Sequence, residues 1–401
     1  MTELFHRHIP FCRILIFSTL VAAAVMIGLP SVARGGSDTL GDAGRESVLE
    51  FMLQQAISHG LISGAVVVVG DHRGIIYEQA VGVSGFNADA PPLTTSAVFD
   101  VASLTKVFAT TPAIVKLMDE GKLSLLDPVS RWFAEFDGSE ITILSLLTHT
   151  SGLQDVGLDR VMPMQSAIER AALQAGRIEV GSRFRYADIN FILLGELVRR
   201  VTGQSLDHYT RQAFFEPLGM QTAGFLPPRN SFYAPTLASG TTLSGVVQDE
   251  NARILGGVAG HAGLFSSVHD LARFTGMLLS GGQLNGTRVL SARAVEQMTA
   301  PYFYRNGQVI RGLGWDRVSP FSAPKGTIFS EFSYGHTGYS GTSVWIDPDA
   351  NLYVLLLTTR LDYQRLRTFN KLRSDISTLA AALFAGQHRR TGREVPEYTG
   401  P

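Results

Sequence analysis

Apolar residues along this chain change their period twice, and the changes divide it into three stretches. Val48, Leu49, Met52, Leu53, Ala56 and Ile57 recur at the three- and four-residue spacing of an amphipathic helix, which Gly60 ends. Gly64 to Gly70 then encloses Ala-Val-Val-Val-Val. Asp71-His72-Arg73-Gly74 follows, and a second run from Ile75 to Val81 completes the pattern of a β-hairpin. Helical period returns from about Ser103 to Glu120, with Gly121 as its stop. Apolar runs such as Leu144 to Leu147, Phe191 to Val201 and Leu271 to Leu279 carry a helical middle to about Ser280. Strand character reappears in Thr342–Ile346 and Leu352–Thr359, separated by the turn-forming Asp347-Pro348-Asp349-Ala350-Asn351, and Leu366 to Phe384 reads as a closing helix. The ends therefore predict one antiparallel sheet built from both termini and flanked by N- and C-terminal helices. That is an α/β chain of the α+β type, with a mostly helical lobe inserted over roughly residues 104–300.

Composition narrows what such a fold is used for. A formal net charge of -1 over 401 residues, without a Lys/Arg run, gives no footprint for nucleic acid. His6, Arg7, His8 and Arg13 precede an apolar run from Ile14 to Leu29 that ends in Pro30-Ser31-Val32-Ala33. This basic, apolar, small-residue order predicts a secretory signal over residues 1–33, cleaved after Ala33. At about 16 residues the run falls short of the ~20 that span a bilayer, so no stable membrane insertion is expected after cleavage. An uncleaved anchor is the alternative. The only cysteine, Cys12, lies before that run, so the mature chain carries no disulfide. The reading is then a linker over 34–47, a domain over 48–390 and a tail over 391–401, exported to a periplasm or beyond, with the oligomeric state left open.

The candidate chemistry begins at Phe99-Asp100-Val101-Ala102-Ser103-Leu104-Thr105-Lys106. Residues three apart share a helical face, so Ser103 and Lys106 can meet. A serine needs a neighbouring base to become a nucleophile, and a lysine serves only when its surroundings favour the neutral amine. By chance alone such a spacing occurs about once in a chain of this length. Other chemistries lack their motifs: there is no H-E-x-x-H, no cysteine pair, no G-x-S-x-G and no phosphate-binding G-x-x-x-x-G-K-[ST]. His149, His261, His269 and His336 are too scattered for a ligand pattern, so no metal or other cofactor is expected.

Four further segments accompany Ser103-x-x-Lys106: Gly121-Lys122-Leu123-Ser124-Leu125-Leu126-Asp127-Pro128-Val129, Leu146-Leu147-Thr148-His149-Thr150-Ser151-Gly152-Leu153, Tyr186-Ala187-Asp188-Ile189-Asn190-Phe191-Ile192-Leu193-Leu194-Gly195 and Gly335-His336-Thr337-Gly338-Tyr339-Ser340-Gly341-Thr342. In this order the set resembles the serine β-lactamase and penicillin-binding protein superfamily, most of all its class C branch with esterase and D-aminopeptidase-like relatives, from about Val48 to Phe384. The resemblance implies the DD-peptidase/β-lactamase-like fold and a serine hydrolase that forms an acyl-enzyme. Its substrate would be a β-lactam, a D-amino-acid or cell-wall peptide, or a small ester. It makes Ser103 the nucleophile, Lys106 its activating neighbour and Tyr186 the partner in proton transfer. A phenol is protonated at neutral pH, so that last role calls for cationic neighbours. The backbone N–H groups of Ser103 and Tyr339 become the oxyanion hole. His336-Thr337-Gly338 is similar to the family's K-T-G strand, which runs beside the bound substrate.

Two departures bear on substrate. Asp188 stands where the closest β-lactamases have Asn, and an ionised carboxylate only accepts hydrogen bonds. Asn190, one helical turn after Tyr186, is the candidate to supply the missing amide. His336 replaces Lys and is mostly neutral at pH 7, which weakens the hold on a substrate carboxylate. Asp188, Asn190, His336, Thr337 and Gly338 are accordingly the expected substrate contacts. An alternative from another class is a binding protein that keeps the cleft without turnover. His149 is expected to organise its loop, Ser267-x-x-Asp270 to cap a helix, and Gly256 to Gly263 to make tight turns at the cleft border. Asp249, Glu250 and Asn251 read as solvated loop residues without an assigned role.

Overall fold

The unbroken apolar run Val66–Val69 becomes the centre of a sheet. In the computed structural model, residues 42–385 are described apart from 88, 178, 228–231 and 306–307. Helix α1 spans Asp42–Ser58, starting ahead of its first apolar-periodic residue, and leads into strands β1 (Ile62–Asp71) and β2 (Gly74–Gly82). Late in the chain come β3 (Tyr334–Thr337), β4 (Ser343–Asp347) and β5 (Leu352–Arg360), followed by a closing helix, Leu366–Phe384. The sheet order is β3-β4-β5-β1-β2, antiparallel throughout, so the two ends of the chain meet at the β1–β5 seam. There Val67 pairs with Leu356 on one side and with Gln79 of β2 on the other. The expected signal over 1–33 and the tail over 391–401 lie outside the described residues. Among the described residues no helix is long and apolar enough to cross a membrane.

All ten residues of β1 are buried, because both faces of the sheet are covered. Alternation then sorts the side chains. Ala65, Val67, Val69, Val354 and Leu356 pack under α1 and the closing helix with Leu49, Leu53, Phe369 and Ile376. Val66, Val68, Leu355 and Leu357 point to the opposite face and join the core of the inserted lobe. The β4–β5 turn falls where the Asp-Pro-Asp-Ala-Asn run predicts it: Asp347 Oδ1 accepts from the N–H groups of Asp349 and Ala350, and Asn351 adopts a left-handed φ of 49°.

Within the lobe, the segment after Ser103 differs from the uniform helix expected of it. A 3-10 turn covers Ala102–Leu104, a wide π-type turn Lys106–Thr110, and regular helix α2 only Thr111–Asp119. Side chains hold this departure in place. Thr105 Oγ1 donates to Ala102 O (2.6 Å) and accepts from Leu264 N (3.1 Å), while Thr110 Oγ1 donates to Gly260 O (2.6 Å). Pro112, without an N–H, cannot close a regular bond to Phe108. Helix α3 spans Asp188–Thr202 and meets the Gly260 backbone at Gly195, where a Cβ on Gly260 would collide with Phe191 O and lie 2.9 Å from Gly195 N. This glycine-to-glycine contact seats His261 beside α3. Helix α4 (Val268–Leu279) is capped by Ser267, whose Oγ accepts from Asp270 N. The Asp270 carboxylate turns instead to Thr222 and Ala223.

Candidate active site

Ser103 sits on the 3-10 turn directly after Ala102, whose φ of 49° is costly for a residue with a Cβ. Asp100 holds that turn from inside: Oδ1 accepts from Ala102 N (2.8 Å) and Oδ2 from Gln248 N (2.7 Å). Burial pushes its carboxyl up to about 6 despite both bonds. The turn aims Ser103 Oγ at Lys106 Nζ, 3.1 Å away. That ammonium is buried among three oxygens, donating also to His261 O (3.1 Å) and lying 2.7 Å from Asp188 Oδ1. An ammonium has three N–H donors and no lone pair, so this environment suits the charged form. Burial alone would lower the Lys106 pKa. The charges of Asp188 and then Tyr186 more than offset it, and the net shift is upward. For Asp188 the balance is the reverse: burial raises its carboxyl, but Lys106 and then His261 pull it below the usual carboxylate range.

Asp188 opens α3, and Asp155 Oδ1 accepts from the next backbone N–H, that of Ile189 (3.0 Å). Tyr186 lies two residues earlier. Its ring stacks on His149 at 4.5 Å between centroids and lies 6.0 Å from that of His336. Lys106 Nζ is 5.1 Å from its centroid and the Arg311 guanidinium 6.0 Å, so the cations expected beside this tyrosine are present. Both imidazoles are buried and kept neutral. Burial, followed by the charges of Arg311 and Lys106, holds them well below the usual histidine range. His149 has a left-handed φ of 57°, and its Nδ1 accepts from Ala187 N (3.2 Å), the organising role expected of it.

Asn190 departs from the expectation that it lends an amide to the cleft. It is completely buried; Oδ1 accepts from Ser151 Oγ (2.6 Å), and Nδ2 contacts Ala187 O and His149 Nδ1 (3.2 Å each). Its helical position turns it inward, and both ends of the amide are taken. His336 is likewise buried beside Tyr186, with Nδ1 on Thr337 O (2.9 Å), whereas Thr337 is half-buried. Beyond β3 the loop is fastened to the nucleophile turn. Ser340 Oγ donates to Asp100 O (2.8 Å), Thr342 Oγ1 to Val101 O (3.0 Å), and a Cβ on Gly338 would lie 2.6 Å from Val101 O. Glycine is therefore needed at 338 for the two backbones to close. The side chain of Tyr339 is exposed.

Two residues of the site carried no role in the sequence reading. Asp249 caps a short helix through Ala252 N (2.7 Å) and receives His261 Nε2 at 2.8 Å. Burial would raise its carboxyl, but the His261 bond and charge draw it down to about 2. The glycines around His261 read as tight turns, and one of them, Gly260, also makes a close approach to Gly195 of α3. The ligand-type atoms of Asp188, Asp249 and His261 lie within 4.8 Å of one another. Two carboxylates and an imidazole form a donor set that suits a divalent cation, yet the Lys106 ammonium already lies against Asp188.

The chain is 30% identical over 370 residues to a protein of Escherichia coli O157:H7 named, provisionally, a D-alanyl-D-alanine carboxypeptidase, covering 79% of this chain and 82% of that one. Its fold matches a penicillin-binding protein homologue from Caulobacter crescentus (TM-score 0.70, 20% identity, 86% of this chain and 99% of that one). A simvastatin synthase from Aspergillus terreus matches similarly (TM-score 0.67, 22% identity, 87% and 100%). With residues 52–375 matching the Beta-lactamase family, the chain belongs to that family, within the serine β-lactamase and penicillin-binding protein superfamily.

Proposed function

We propose that this protein is an exported serine hydrolase that forms an acyl-enzyme at Ser103 and acts on a D-amino-acid or cell-wall peptide or a small ester in preference to a β-lactam. The observation that carries the reading is the 3.1 Å contact between Lys106 Nζ and Ser103 Oγ in a turn strained at Ala102. Attack of Oγ on the acyl carbonyl makes the new C–O bond. The Ser103 and Tyr339 N–H groups receive the oxyanion, and collapse expels the leaving group. Lys106, held as an ammonium, donates to Oγ and steadies the developing charge. Asp188 is a poor proton acceptor because its pKa is lowered, so Tyr186, working as the phenolate beside the Lys106 and Arg311 cations, takes the serine proton and returns it to the leaving group. Water then reverses the path. At His336 the strand carries a neutral imidazole where the family's K-T-G strand carries a lysine cation, which weighs against β-lactams. Export is inferred from the N-terminal pattern of residues 1–33.

A fluorophosphonate or penicillin is expected to add covalent mass to the Ser103 peptide, and Ser103→Ala to abolish it. An unlabelled wild type with both probes sinks the mechanism. The 2.7 Å Lys106–Asp188 ion pair favours one other reading, a binding protein that holds peptidoglycan fragments without turnover. Ligand binding that survives Ser103→Ala, with neither label nor turnover, would establish it instead.

A further inference from the structure

The closing helix sends a buried guanidinium to the back of the loop that carries Tyr339. Arg373 Nη2 donates to Gly338 O (2.6 Å) and Thr342 O (2.7 Å), and Nη1 contacts Asn370 Oδ1 (3.3 Å). Arg360 lies behind the same loop, with Nη1 donating to Tyr339 O (3.2 Å). Among the described residues no carboxylate is within ion-pair distance of Arg373, which is 3% exposed. A buried charge without a counter-ion is expensive, so its retention calls for a use. Burial and the neighbouring Arg360 draw its pKa down to about 9, which leaves it protonated at neutral pH.

The carbonyl of Gly338 and the N–H of Tyr339 belong to one planar peptide group, so charge drawn toward the oxygen leaves the N–H a stronger donor. We propose that Arg373 is a positioning residue of the oxyanion hole, fixing and polarising the Gly338–Tyr339 peptide from behind so that the Tyr339 N–H binds the developing oxyanion more tightly. This rests on the reading of Ser103 as nucleophile and of the Ser103 and Tyr339 N–H groups as the hole. The other half of the hole has a weaker counterpart. The Ser103 N–H shares its peptide with Ala102 O, which accepts from the neutral hydroxyl of Thr105 (2.6 Å). The hole is thus asymmetric, with an ionic donor behind one peptide and a hydroxyl behind the other.

The test uses the full chain acylated with an aryl ester or a slowly released β-lactam, and reads the infrared stretch of the acyl-enzyme ester carbonyl together with kcat and KM. Arg373→Gln keeps a donor but removes the charge. It is expected to move the band to higher wavenumber and lower kcat by about 10-fold with KM within about 2-fold, a fraction of the ~10²- to 10³-fold lost with a whole donor. Arg373→Lys restores the charge and should recover most of both. An unmoved band and wild-type kcat in Arg373→Gln overturn the proposal, as does equal impairment of the two variants, which would assign the loss to packing. If Arg373→Gln does not fold, the affinity of Arg373→Lys for an aryl boronic acid decides. Near-wild-type affinity supports the proposal and a loss of about 100-fold, as large as losing a donor, overturns it. A wild type that gives no ester band removes the acyl-enzyme reading and this proposal together, whereas a wild-type band that stays put in Arg373→Gln removes this proposal alone.

Discussion

The two walls of the cleft handle charge in opposite ways. On the Lys106 wall, each charge meets a side-chain partner: Lys106 faces Asp188 at 2.7 Å, and Asp249 receives His261 at 2.8 Å. On the Tyr339 wall, Arg360 Nη1 and Arg373 Nη2 donate to backbone carbonyls, and no carboxylate pairs with Arg373 among the described residues. Side-chain pairs can be remade by a proton shift, so the first wall suits a step in which protons move. Guanidinium groups held by carbonyls keep their charge throughout, so the second suits a task that must not change during the reaction. In the proposed mechanism these tasks are acid–base chemistry and oxyanion binding.

The largest expected effect comes from breaking the first wall outright. Lys106→Met removes the donor to Ser103 Oγ and strands Asp188 beside an apolar side chain. We expect acylation to fall by about 10³-fold, within the 10²- to 10⁴-fold range of acid–base groups, and stability by about 3–5 kcal/mol for a half-deleted buried pair, discounted toward the lower figure because the Asp188 side chain is 30% exposed. Lys106→Met/Asp188→Leu should recover most of the stability and none of the activity. Thermal melts beside acylation rates check this, and a double variant no more stable than the single one means the pair was not holding the fold.

An intermediate effect probes how that wall is seated. Gly260→Ala would push against Phe191 O and Gly195 N, lifting the His261 loop from α3 and loosening the acceptor that His261 O offers Lys106. The expected cost is about 1–3 kcal/mol of stability and roughly 10-fold in acylation. Labelling of Ser103 at the wild-type rate in a folded Gly260→Ala protein would show that the loop does not govern Lys106.

That seating also marks how far the sequence could be read. The sheet was legible because β1 carries an unbroken apolar run and β5 another, and runs of that length need two covered faces. Ser103, Lys106 and Tyr186 were legible through their spacing and company. Asp249 and His261 were not, because their pairing spans a loop and depends on Gly260 meeting Gly195, a contact without local periodicity. Asn190 misled for the converse reason. The four-residue spacing assumed one helix through both residues, but α3 starts only at Asp188, so Tyr186 lies outside it, and Asn190 in its first turn faces Ser151 and His149.

The smallest and most selective change is Asp188→Asn, which keeps the shape of the first wall and removes its negative charge. Lys106 now owes its raised pKa to Asp188 first and Tyr186 second, against burial. Without the carboxylate, burial gains weight and the amine's pKa must fall. If the ammonium is the working form, the alkaline limb of kcat/KM moves to lower pH, with activity near neutrality changed by only a few-fold. Stability follows the same sign. A raised folded-state pKa stabilises below the unfolded value near 10.5 and loses that contribution as pH rises through the folded value; the depressed Asp188 contributes above about 3.8 and loses it as pH falls. Asp188→Asn should therefore cost stability most between those two limits and flatten its fall toward acid and alkaline pH, while leaving the Tyr339 wall, and its affinity for an aryl boronic acid, near wild type. A boronic acid affinity that falls along with the alkaline limb would mean that the two walls are electrostatically one.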